Sequence, residues 1–163
     1  MIHGGGHVLF TRKEVNPKQI KLMLDNGLLP VSVDYRFCPE LNLIDGPMAD
    51  VCDALRWARY QLPKMRLNCP GLQIDGERVA VVGWSTGGHL AMTLAFTAQQ
   101  QALRPPEAIL AFYPPTDYES DWWKKPIFPS AAVNSPTEEY DLLEGVNDEP
   151  VSFSLHSFAF KKS

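Results

Sequence analysis

Two glycine-rich clusters carry the residues that could do chemistry: Gly83-Trp84-Ser85-Thr86-Gly87-Gly88 in the middle of the chain, and His3-Gly4-Gly5-Gly6-His7 at its start. A serine with glycines at both second neighbours can stand at the tip of a tight turn, its hydroxyl clear of other side chains, which is where a nucleophile must stand. Consecutive glycines let backbone N–H groups turn toward a ligand, and such donors can hold the negative charge that develops on a carbonyl oxygen. The pair of clusters therefore points to acyl transfer: Ser85 attacks an acyl carbonyl, the Gly4 and Gly5 amides hold the oxyanion, and water releases the acyl group. Glycine and serine are common, so the surrounding elements must support this chemistry.

The elements around Ser85 have the required order. Arg78 to Val82 is apolar and β-branched without alternation, as in a parallel strand buried on both faces, and a helical pattern restarts after Gly88. That helix would place the positive end of its dipole beneath the serine. Met1 and Ile2 read as the end of a strand that runs into the glycine loop. Asn16-Pro17, then Ile20, Met23, Leu24 and Gly27, predict a helix with an N-cap, a first-position proline and a glycine stop. Leu28 to Tyr35 reads as a strand. A helix introduced by Asp45-Gly46-Pro47 puts Met48, Val51, Cys52, Leu55, Ala58 and Leu62 on a core stripe, and Pro63 bounds it. Lys64 to Gly76 is a loop, and Ala108 to Tyr113 a further short buried strand. Strands alternating with helices predict an α/β fold, a mostly parallel sheet with helices on both faces.

Composition narrows the class. The 163 residues are 45% hydrophobic and 21% charged, enough for one domain with a real core. A formal net charge of −4 and the lack of a basic stripe argue against a nucleic-acid partner. Cys38, Cys52 and Cys69 lack metal or disulfide spacing, so reduced thiols in a cytoplasmic setting are expected, with neither metal nor cofactor. No apolar run has the length of a membrane span, and no signal-peptide pattern opens the chain.

His3-Gly4-Gly5-Gly6, then Val33-Asp34-Tyr35-Arg36 with Pro39-Glu40, then the Ser85 cluster resemble, in that order, the α/β-hydrolase fold-3 family, the hormone-sensitive-lipase-like esterases. The resemblance implies Ser85 as nucleophile and an oxyanion hole built from the Gly4 and Gly5 amides with the Thr86 N–H. It also implies that Asp34, Tyr35 and Arg36 are scaffold, with an ion pair under the glycine loop. Cys38 to Met48 and Tyr113-Pro114-Pro115-Thr116-Asp117 further resemble the esterase-like or thioesterase-like domains at the C-terminal end of fungal non-reducing polyketide synthases. The implied partner is a small-molecule acyl ester or thioester, a polyketide acyl group among them. For His3 and His7, loop-stabilising hydrogen bonds are expected rather than acid–base roles. His89, one turn along the helix from Ser85, is expected to be structural because its side chain points down the flank.

The chain departs from the family after the nucleophile. A triad of this kind needs an acid and then a histidine downstream, and the histidines after Ser85 are His89 and His156. The roughly 50 residues past Tyr113 are too few for two more strand–helix units of typical length. The reading therefore expects a hydrolase core truncated at both ends. Residues 1–150 form the partial domain, in which 115–150 is a cap-like or poorly ordered segment, and residues 151–163 are an atypical, strand-patterned tail. Exposed sheet edges in such a core would invite association. A shortened triad of Ser85, Asp117 and His156 has the correct chain order. The alternative is a non-catalytic fragment or interaction module that kept the fold and lost the triad.

Overall fold

A computed structural model gives the architecture for residues 1–69 and 71–121, which divide into two compact units after Pro114. In the first unit, β1 (Ala80–Trp84) pairs in parallel with β2 (Ala108–Phe112), in register from Ala80 opposite Ala108 to Trp84 opposite Phe112. Ile2 extends this ladder on the other side through parallel bridges to both Gly83 and Val33. The Ile2 N–H donates to Val82 O at 2.8 Å, and the Trp84 N–H donates to Ile2 O at 3.3 Å. Four chain segments thus lie side by side in the spatial order Val33, Ile2, β1, β2.

The α/β prediction holds, and the boundaries shift for identifiable reasons. β1 begins two residues later than predicted and runs on through Gly83 and Trp84, because Ile2 supplies a ladder partner at that end. The strand predicted over Leu28 to Tyr35 reduces to the single bridge at Val33. Leu28 and Leu29 are exposed, and Pro30 has no N–H to give a ladder. β2 alternates between half-buried and exposed residues rather than being buried throughout.

The helices follow from caps and stripes. In α1 (Pro17–Asp25) the Asn16 side chain accepts from the Lys18 N–H at 2.9 Å, Pro17 takes the first turn, and Gly27 at φ 71° ends the helix. This helix buries none of its nine residues. Pro47 lies in a short π-helical turn, Ile44–Met48, that leads into α2 (Ala49–Tyr60), whose buried residues are Val51, Cys52, Leu55 and Arg59. α3 (Thr86–Gln100) buries Gly87, Leu90, Ala91, Leu94 and Ala98, the spacing of one helical face. It starts directly after Ser85 rather than after Gly88, so two glycines lie inside its first turn. Ile2, Tyr35, Val51, Cys52, Leu55, Val81 and the apolar face of α3 form one hydrophobic cluster.

Buried Arg59 anchors the end of the sheet opposite Ser85. Its guanidinium donates to the carbonyls of Gly76, Glu77, Arg104 and Pro105 and to the Glu107 carboxylate. Glu107 also accepts from the Val79 N–H at 2.7 Å, so one cation from α2 ties together the segments that enter β1 and β2.

Candidate active site

The turn between β1 and α3 is forced by its glycines. Ser85 has φ 52° and ψ −127°, a backbone state that non-glycine residues rarely adopt and that costs on the order of 1–3 kcal/mol. A Cβ on Gly83 would lie 2.1 Å from Gly87 O, and one on Gly87 would lie 2.2 Å from His3 O and 2.4 Å from Ile2 O. Without side chains at these positions, α3 packs its first turn directly against the backbone that leads into the glycine loop. The Ser85 N–H donates to Phe112 O at 2.9 Å, and the Gly88 N–H returns to Ser85 O at 2.8 Å. The Thr86 N–H, in the first position of α3, has no intrahelical acceptor and lies at the positive end of the dipole.

The glycine loop runs beside this turn. A Cβ on Gly4 would come 3.0 Å from Ser85 Cβ and 3.7 Å from Ser85 Oγ. Gly5 at φ 108° and Gly6 at φ 65° bend the chain away, and a Cβ on Gly5 would collide with Leu9 O at 2.0 Å. Gly5 O accepts from the Val8 and Leu9 N–H groups at 3.0 and 3.1 Å. Sheet topology places the two clusters together. The chain runs Ile2, Val33, β1, β2, but in space Ile2 lies between Val33 and β1, so the order reverses between Ile2 and β1. Ligands of open α/β sheets bind at the carboxyl ends of the strands where this reversal occurs, and those two ends carry Gly4 and Ser85.

The motif around Tyr35 holds the loop. The Tyr35 hydroxyl donates toward His3 O at 3.0 Å and Gly4 O at 3.1 Å, and its ring stacks on the His3 imidazole at 4.4 Å and 13°. Asp34 accepts from the Arg12 backbone N–H at 2.6 Å and forms an ion pair with the Arg12 guanidinium, tying the far end of the glycine-loop segment to the same motif. Arg36 turns the other way and binds Asp50 in the first turn of α2 at 2.7 Å. Burial alone would raise the Asp50 carboxyl, but hydrogen bonds from Arg36 outweigh it and hold the group below its ordinary value.

Burial disfavours the charged form of both histidines of the glycine loop. Burial lowers His3 below its ordinary value, against the opposing pull of the Gly4 carbonyl, Asp34 and Glu14. Its Nδ1 lies 2.7 Å from Gly4 O, so that nitrogen carries the proton. Burial, and then the nearby His89, push His7 down to about 4. A group so weakly basic is a poor proton acceptor at neutral pH. The His89 ring lies 6.0 Å from that of His7. Asp117 belongs to the second unit, where its Oδ1 accepts from the Glu119 and Ser120 N–H groups at 3.1 and 3.0 Å. His156 lies outside the described residues, as do most of the 115–150 segment and the whole of the 151–163 tail. The contact of the Tyr35 hydroxyl with the loop carbonyls was not anticipated from the sequence. A hydrogen bond from a side chain to a backbone carbonyl leaves no spacing signature.

A parallel sheet carrying a serine on a left-handed strand-to-helix turn, with a glycine loop against it, is the core of an alpha/beta hydrolase. The chain belongs to the alpha/beta hydrolase fold family, whose pattern matches residues 1–144. Its relatives include the non-reducing polyketide synthase adrD of Penicillium rubens, 58% identical over 153 residues, and the non-reducing polyketide synthase trt4 of Aspergillus terreus, 59% identical over 154. The 5-methylorsellinic acid synthase of Aspergillus terreus is 53% identical over 152. Each match covers 93% of this chain and 6% of the synthase, so the chain spans a small part of the length of these relatives. Among the described residues no helix is long and apolar enough to cross a membrane.

Proposed function

We propose that the chain carries a serine hydrolase site for carboxylic esters or thioesters, with Ser85 as nucleophile and the N–H groups of Gly4, Gly5 and Thr86 as oxyanion donors. The observation that carries this reading is the left-handed backbone of Ser85 between β1 and α3, with Gly4 packed beside its side chain. Ser85 Oγ attacks the acyl carbon and gives its proton to a base. The carbonyl oxygen gains charge that the three donors stabilise, and the bond to the leaving alcohol or thiol then breaks as that group takes the proton. Water repeats the sequence on the acyl-serine and frees the acid. The correct chain order leaves Asp117 and His156 as the candidate acid and base of a shortened triad. Kinship with fungal polyketide synthases supports a polyketide acyl thioester as the substrate class.

A second reading, a non-catalytic fragment or interaction module, draws on one observation: Asp117 Oδ1 is engaged by the Glu119 and Ser120 N–H groups of its own turn. Hydrolysis of p-nitrophenyl acetate and of a small acyl thioester separates the two readings. The hydrolase reading predicts turnover that Ser85→Ala abolishes, and the shortened triad predicts losses of orders of magnitude in kcat for both His156→Ala and Asp117→Asn. Turnover that survives Ser85→Ala contradicts the nucleophile. Turnover that survives the other two changes contradicts the shortened triad.

A further inference from the structure

Beyond the donors themselves, we infer that Tyr35 is the positioning residue that aims them; the inference rests on the oxyanion reading proposed above. The cis peptide bond in the described residues is Cys38–Pro39, so the peptides joining His3 to Gly4 and Gly4 to Gly5 are trans. In a trans peptide the C=O of one residue and the N–H of the next point in opposite directions. Tyr35 OH lies 3.0 Å from His3 O and 3.1 Å from Gly4 O, so a single hydroxyl fixes the carbonyl side of both planes. The N–H groups on the opposite sides of those planes belong to Gly4 and Gly5. One phenol thus turns two consecutive amides away from itself together.

This control matters because glycine peptides have little else to orient them. With no Cβ, Gly4 and Gly5 can rotate through conformations closed to other residues, and either plane could turn over at small cost. The His3 Nδ1–H adds a second bond to Gly4 O at 2.7 Å, and the imidazole that provides it lies flat on the Tyr35 ring. Tyr35 itself is buried and packs edge-on against Phe37, so its hydroxyl cannot swing aside. Packing and orientation are therefore separable: the ring supports His3, and the hydroxyl sets the planes.

Tyr35→Phe removes the hydroxyl and keeps the ring, and two measurements on the full chain test the proposal. The first is the orientation of the Gly4 and Gly5 N–H bonds from residual dipolar couplings, with Gly83 and Gly87 as internal references. The variant should change the couplings of Gly4 and Gly5 while leaving the references in place; unchanged couplings at both loop glycines overturn the proposal. The second is the reaction of Ser85 with a fluorophosphonate. Its limiting rate should fall on the order of 10²-fold, the effect of losing an oxyanion donor, with the half-saturating concentration nearly unchanged. A loss of apparent affinity at an unchanged limiting rate overturns the positioning role. If the parent chain is not labelled at all, the hydrolase reading fails, and the couplings alone decide whether Tyr35 sets the two planes.

Discussion

At the scale of the residue, Ser85, the proposed nucleophile, stands on strained backbone. Its φ of 52° suits glycine better than any residue with a Cβ, so Ser85→Gly should be more stable than Ser85→Ala by roughly 1 kcal/mol, while both should lack the proposed acyl transfer. Urea unfolding of the two variants checks this, and equal stabilities would show that the turn stores no strain. His7 gives a pH signature. Its folded pKa of about 4 lies below the ordinary 6.5, so between these values the unfolded chain binds a proton that the folded chain does not. Stability should therefore be level above about pH 7 and fall as the pH drops toward 4. His3, also lowered, acts in the same direction. His7→Asn, a residue that tolerates the φ of 65° found there, should flatten part of that decline in urea titrations at stepped pH. Ser85 and the glycines were legible in the sequence because only particular residue types fit a tight turn. The histidine environments were not, because burial depends on residues distant in the chain.

At the scale of the element, Arg59 shows where periodicity stops informing. The sequence assigns α2 a stripe through Leu55 and Ala58, yet the buried position one turn past Leu55 is an arginine whose donors satisfy four carbonyls and a carboxylate. Apolar spacing alone gives no reason to place a cation in the core. Arg59→Met should cost about 3 kcal/mol by leaving those acceptors unpaired, read as a shift in the urea midpoint at constant slope. A loss below roughly 1 kcal/mol would mean that water replaces the guanidinium there. The strand predicted over Leu28 to Tyr35 failed for a related reason. β-Branched residues favour extended backbone, but a ladder needs a partner along its length, and here the pairing amounts to one bridge at Val33 and a bond from the Met1 amine to Val31 O.

At the scale of the whole molecule, the first unit leaves large apolar side chains on its surface. Phe96 is 72% exposed, Tyr113 73% and Leu110, on β2, 55%. Surfaces of this kind mark contacts with other protein, and the account expects concentration-dependent association that Leu110→Lys weakens, measured by sedimentation velocity. A monodisperse monomer across the accessible concentrations would contradict it. The parallel order of Val33, Ile2, β1 and β2 is the property on which the proposed chemistry depends, because the order reverses where the glycine loop and Ser85 end adjacent strands. Alternation of strands and helices made that architecture legible; which strand lies beside which required the hydrogen bonds. The central claim is that Ser85 is a nucleophile, and intact-mass analysis after treatment with a fluorophosphonate tests it most directly. The account predicts one adduct, mapped by peptide sequencing to Ser85 and absent in Ser85→Ala. A folded chain that gains no adduct, or gains it equally in Ser85→Ala, contradicts the claim.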